Sequence, residues 1–155
     1  YPLEIANAVL GDGTSSRLFC AVREDRGLAY AVHSTISRYS DAGLWMAYAG
    51  VAPETADAVA DLLLAELHRL RDEPIPVDEI ALAKARIRGS FILGLESNAN
   101  RAMRLGTAAI NGREILSPEQ ILAKLAAIDV ASVHEAVERF VKPENVHLAT
   151  IGPKA

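Results

Sequence analysis

Two runs rich in β-branched and aromatic residues, 28–39 and 44–52, flank the turn cluster Ser40-Asp41-Ala42-Gly43 and read together as a β-hairpin. That hairpin constrains the rest of the chain most, because two antiparallel strands with an apolar face are marginal in water until something covers them. The cover follows at once. Pro53 opens a long helix whose Ala56, Val59, Ala60, Leu63, Leu64, Leu67 and Leu70 fall three and four apart on one stripe, and the hairpin is the surface that stripe needs.

The other elements fit around this pair. Residues 2–10 carry Leu3, Ile5, Ala6, Val9 and Leu10 behind a proline, which suits a short helix. Asp72-Glu73-Pro74-Ile75-Pro76 breaks the long helix, and a second runs over 77–97 with Lys84, Arg86 and Arg88 on a solvated or interdomain face. Further helices are expected over 98–111, closed by Gly112, from Ser117-Pro118-Glu119 through Leu125, and over 130–141 behind an Asp129 cap. Lys142-Pro143-Glu144-Asn145 then turns the chain into a final strand over 146–151. This order predicts an α+β domain, an antiparallel sheet covered on one face by helices, with the other face free to look at something else.

At 155 residues, half of them hydrophobic, the chain is read as one domain, 1–155, with material for a real core. No internal repeat or interdomain linker stands out. A chain that opens on Tyr1-Pro2, already inside a helical pattern, reads as a piece of something longer. The net charge of −4 and the lack of a long basic run argue against a nucleic-acid surface. The single cysteine, Cys20, cannot form an internal disulfide, so a cytoplasmic setting is the default. It lies among Leu18, Phe19 and Val22, where cysteine is usually a small buried hydrophobe rather than a nucleophile. No apolar run approaches the roughly 18 residues that span a bilayer, so no membrane partner is expected.

The densest information lies in residues 10–30. A glycine turn, Gly11 and Gly13, leads to Ser15-Ser16, whose hydroxyls are expected to cap a helix running over Leu18, Phe19 and Val22 and stopping near Gly27. The turn could be a phosphate loop, but no lysine follows the second glycine and no strong strand precedes it, so a plain turn is the better reading. Arg23, in the last helical turn, and Tyr30, at the start of the strand, come close around one corner. Arg17, Arg23, Glu24, Asp25 and Arg26 could also form no more than a solvated face. Strict alternation groups Tyr30 with Leu28, Val32, Ser34 and Ile36, with Ala29, Ala31, His33 and Thr35 opposite. On that pattern Tyr30 is a core residue. A twist or bulge at the strand start would turn it outward.

The glycine turn, Ser15-Ser16-Arg17-Leu18 and Arg23-Glu24-Asp25-Arg26-Gly27-Leu28-Ala29-Tyr30, with Leu95-Glu96-Ser97, Arg101 and Ile151-Gly152-Pro153 further on, resemble the pitrilysin and mitochondrial-processing-peptidase family of zinc metallopeptidases, the inverzincins. The likeness is to their second, non-zinc-binding domain and covers nearly the whole chain. It implies two such domains closing like a clamshell around an unfolded peptide, and a sheet here with an open position or one completed by another chain. The resemblance makes Arg23 and Tyr30 the pair that reaches across the cavity to the substrate. A guanidinium offers a planar fork of donors, and a phenol could hydrogen-bond the oxyanion of a scissile carbonyl, so Tyr30 is the catalytic candidate and Arg23 a binding one.

Zinc, by the same resemblance, is bound outside this chain in a His-x-x-Glu-His helix of the first domain. The histidines here support that division: His134-Glu135 with Glu138 meets neither zinc motif, and His33, His68 and His147 have no partner at ligand spacing. The implied activity is a zinc metalloendopeptidase, with this chain inactive alone and its partners the N-terminal zinc-binding domain and peptide, as a homodimer or heterodimer. In a competing arrangement the zinc and the Arg/Tyr corner sit on separate chains. The alternative class is a non-catalytic scaffold, like the core subunits of respiratory complexes that resemble this family.

Overall fold

The computed structural model describes residues 1–39 and 41–153, so Ser40 of the expected turn lies outside the described residues. The elements in order are α1 (Pro2–Leu10), a π-helical turn (Phe19–Glu24), β1 (Ala29–Arg38), β2 (Gly43–Val51), α2 (Ala56–Asp72), α3 (Val77–Gly94), α4 (Asn98–Ile110), α5 (Pro118–Ala127) and α6 (Val130–Phe140). Short 3-10 turns at Pro53–Thr55 and Pro143–Asn145 lead into α2 and out of α6. The architecture is α+β.

Helix α1 is the centre of the packing, touching β1, α2, α3 and α6. Its residues from Ile5 to Leu10 are all buried, and all but Asn7 are apolar, as suits a helix enclosed on every side. Around Ile5 and Leu10 the core gathers Leu18 and Val22 from the π turn, Val59 and Leu70 from α2, and Val133 and Val137 from α6. Ile75, in the proline-flanked break, is buried as well. Each such aliphatic side chain contributes roughly 1.5–3 kcal/mol when removed from water.

Polar groups sit inside this core as well, Asn7 and Ser34 among them. The Asn7 Oδ1 accepts hydrogen bonds from Ser34 Oγ on β1 and Trp45 Nε1 on β2, each at 2.8 Å. Beside it the Ser34 amide donates to the Gly11 carbonyl at 3.0 Å. A Cβ at position 11 would lie 2.6 Å from that amide nitrogen, so only glycine lets the end of α1 meet the strand this closely. These bonds fasten α1 to the inner face of the hairpin.

The two strands pair antiparallel from Arg38↔Gly43 to Ala31↔Gly50, with Ala29↔Val51 beyond an irregularity. Ala29, Val32 and Ser34 are buried on the inner face, against which Trp45, Ala47, Ala49 and Val51 also pack. Leu44, Met46 and Tyr48 stand exposed on the outer face, where the Tyr48 and His33 rings meet with centroids 5.2 Å apart.

The starts of α5 and α6 follow their sequence signals: Ser117 and Gln120 make a reciprocal capping box, and Asp129 accepts the Ser132 amide. Ser97, expected as the end of the preceding helix, instead lies beyond α3 and accepts the Asn100 amide at the start of α4. The Ser132 hydroxyl and amide hold the Asp129 carboxyl below the usual carboxylate range.

Two expectations are corrected. Residues 146–151 are not a strand: Val146 donates only to the nearby Pro143 carbonyl, and Leu148 and Ile151 are exposed. A strand exists through its ladder partner, and among the described residues neither hairpin edge takes a third strand. The basic residues of α3 are not all a free face. Lys84 Nζ caps the end of α5 by donating to the carbonyls of Ala126 and Ile128, and Arg86 pairs with Asp12 at 2.9 Å. Arg88 is exposed. Among the described residues, no helix is long and apolar enough to cross a membrane.

Candidate functional site at the π turn and β1

The segment between α1 and β1 begins with a turn that uses its glycines. Gly13 has φ +126°, and a Cβ there would lie 2.1 Å from the Arg86 guanidinium. Ser16, expected to cap the following helix, instead donates its hydroxyl to the Gly13 carbonyl at 2.6 Å, closing the turn rather than accepting an amide from the helix. Ser15 makes no cap either.

Arg17 leaves the turn inward. Its side chain is only 8% exposed and grips Glu79 of α3 with Nε at 2.8 Å and Nη2 at 3.3 Å. The reading of this residue as part of a solvated face is thereby corrected: a guanidinium reaches across to a helix 62 positions on.

From Phe19 the helix winds wide, with the Asp25 amide bonding the Cys20 carbonyl five residues back at 2.9 Å. Such π turns are rare and are frequently found at functional sites. Leu18 and Val22 anchor this one in the core. Gly27, at φ +61°, ends it, and the Leu28 amide bonds the Val22 carbonyl at 2.9 Å as the chain turns into β1.

The ladder then takes an extra residue. Its register passes from Ala29↔Val51 directly to Ala31↔Gly50, leaving Tyr30 without a partner, which is a β-bulge. Ala29 and Val32 both face the core with two residues between them instead of one. Tyr30 is consequently 90% exposed, and the core position that strict alternation assigns it is not where it lies. The bulge outcome, weighed in the sequence as the other possibility, is the one observed.

Arg23 closes the corner. Its Nη1 donates to the Tyr30 carbonyl at 3.1 Å, and its guanidinium carbon sits over the Phe19 ring, 5.0 Å from the centroid. The two candidate side chains thus meet through backbone, with the guanidinium bound to the bulge and the phenol free in solvent. Together they present a cationic fork and a neutral O–H donor on one exposed edge, a set able to hold carbonyl or carboxylate oxygens.

Phe19 was not singled out by sequence reasoning; the signal that could have found it is its place four residues before Arg23. Cys20 is half-buried with its Sγ 3.9 Å from the Thr14 carbonyl. His134 lies 3.5 Å from Glu138 through Nε2, while its Nδ1 is buried without a hydrogen-bond partner. Among the described residues no group of three or more His, Cys, Asp or Glu side chains could hold a metal ion, so the donor set here does not fit zinc.

Comparison with known proteins adds the following. A family model described as the peptidase M16 inactive domain matches residues 1–87. An uncharacterized zinc protease of Streptomyces coelicolor is 37% identical over 153 residues, covering 99% of this chain and 33% of that protein. Another, of Bacillus subtilis, is 33% identical over the same length, covering 99% and 37%. The chain therefore spans about a third of the length of the curated relatives it matches. Among solved structures, a peptidase M16 inactive domain from Pseudomonas fluorescens superposes with a TM-score of 0.82 at 23% identity, over 91% of this chain and 34% of that one.

Proposed function

We propose, for a chain that belongs to the peptidase M16 inactive-domain family, that it is the substrate-binding and transition-state-supporting domain of a larger zinc endopeptidase. Zinc, with its capacity to polarise a carbonyl and activate water, belongs in this reading to a part of the protein outside these residues. The partners of the chain are then that zinc-binding domain and an unfolded peptide.

The observation that carries the reading is the bulge at Tyr30. Tyr30 is 90% exposed while Ala29 and Val32 beside it are buried, so the extra residue in the ladder is what takes the phenol out of the core and points it at solvent. A bulge also gives up a ladder pairing, and bulges recur beside active sites where they re-aim a side chain. The chemistry matches the task. The phenol offers one O–H donor, suited to an oxygen that gains charge as a peptide carbonyl becomes tetrahedral. Arg23 offers the remaining donors of its planar guanidinium to backbone carbonyls of an extended peptide.

A scaffold reading draws on a different observation, the exposed Leu44, Met46 and Tyr48 on the outer face of the hairpin, which suit contact with a partner protein. One assay separates the two. A quenched unstructured peptide is offered to the zinc-loaded full-length protein and to its Tyr30→Phe form. Loss of one oxyanion donor is worth about 2.7–4 kcal/mol, so turnover by Tyr30→Phe should fall by about a hundredfold to a thousandfold at an unchanged melting midpoint. Equal turnover would remove Tyr30 from the mechanism; no cleavage by the natural protein would favour the scaffold.

A further inference from the structure

We propose that Phe19 is a positioning residue for the Arg23 guanidinium, the seat that aims it at substrate. The inference rests on the reading of Arg23 and Tyr30 as substrate contacts and adds a residue to it. An arginine on a surface is a long, mobile side chain that loses rotamer entropy when it is held in one place. Here it is held in advance from two sides. Below it lies the Phe19 ring, 5.0 Å from the guanidinium carbon, and at one corner the Tyr30 carbonyl accepts Nη1 at 3.1 Å. One of the five N–H donors is thereby used and four are left.

Phe19 can serve as a seat because it is itself fixed. It packs partly buried against the core between residues that anchor the wide turn, with Leu18 and Val22 fully enclosed. The ring is thus tied to the rigid interior, while the face it turns to Arg23 carries the negative quadrupole that attracts a cation. The Tyr30 carbonyl is free to accept because the bulge takes Tyr30 out of the ladder. Turn, bulge and ring together set the direction of the guanidinium before any ligand arrives, which lowers the entropy lost on binding.

The test uses the full-length protein in five forms: natural, Phe19→Leu, Phe19→Trp, Arg23→Ala and the Phe19→Leu/Arg23→Ala double. Two quantities are read, kcat/KM on a quenched unstructured peptide and the Kd of an unstructured peptide for the zinc-stripped protein by fluorescence anisotropy. Phe19→Leu keeps an apolar side chain but removes the ring, and should weaken both by about twofold to fivefold, the range of a cation–π contact at an exposed site. Phe19→Trp should keep the natural values. In the Arg23→Ala background, Phe19→Leu should make no further difference.

Equal losses from Phe19→Leu with and without Arg23 would mean that Phe19 only packs, and would overturn the inference while leaving the reading of Arg23 intact. Should Arg23→Ala change neither quantity, Arg23 is not a substrate contact and both fall.

Discussion

Replacing Asn7 by alanine should cost the fold about 2–4 kcal/mol, a large part of the stability of an ordinary domain. The magnitude follows from what the amide leaves behind. Its Oδ1 takes two donors at 2.8 Å, Ser34 Oγ and Trp45 Nε1, inside the seam between α1 and the hairpin. The serine hydroxyl has a second acceptor within reach, the Asn7 carbonyl at 3.2 Å, so it loses at most the net worth of one bond, about 0.5–1.5 kcal/mol. The indole N–H makes no other hydrogen bond, and stranding this half-buried donor costs at most about 1–3 kcal/mol. Trp45→Phe takes away the donor instead and leaves Oδ1 bonded to Ser34, so it should cost about 1 kcal/mol. Because both substitutions act on one bond, the double variant should be less destabilised than the sum of the two singles. Urea unfolding of the four proteins, followed by far-ultraviolet circular dichroism, gives each value. An Asn7→Ala cost below 1 kcal/mol, or strict additivity with Trp45→Phe, would refute the account of this network.

The remaining expectations concern the corner and its supports. In the Arg17–Glu79 pair the arginine is 8% exposed and the glutamate 33%, so Glu79→Ala, which strands the more buried charge, should destabilise more in urea than Arg17→Met, which leaves a carboxylate that water can reach; the opposite order would show that the burial of Arg17 is not what matters. Gly11→Ala places a Cβ 2.6 Å from the Ser34 backbone, whereas at Gly27 an added Cβ meets nothing within 4 Å and bears only the strain of φ +61°. Gly27→Ala should therefore cost about 1–2 kcal/mol and Gly11→Ala more, read as melting midpoints.

How much of this was legible in the residues depended on whether the signal was local. The hairpin and the apolar stripe of α2 could be read because periods of two and of three-to-four are written directly into 28–70, although α1 as well as α2 packs on the hairpin. The caps at Ser117 and Asp129 could be read because a hydroxyl or carboxylate two or three residues before its amide is a short-range relation. Residues 146–151 have the composition of a strand, but pairing is a property of two segments, and composition describes only one. Arg17 sits in a mixed-charge run, and nothing local distinguishes the member that turns inward to find Glu79 on α3. Asn7 hid in the same way, since a lone amide in a short helix has no pattern that names partners on two strands. For Tyr30 the alternation rule placed the ring inside, because counting by twos has no means of seeing one inserted residue.

That inserted residue also fixes how the corner can change. Side chains on a strand keep their sides by parity, and the bulge makes the step from Ala29 to Val32, both on the inner face, an odd one. A point substitution alters what Tyr30 is without altering where it points. Removing or adding one residue here would exchange inside for outside only upstream of the insertion, while the ladder from Ala31 to Arg38 kept its seat on β2. The aim of the phenol is therefore set by chain length at a single spot, and it can be turned toward or away from solvent without rebuilding the sheet that carries it.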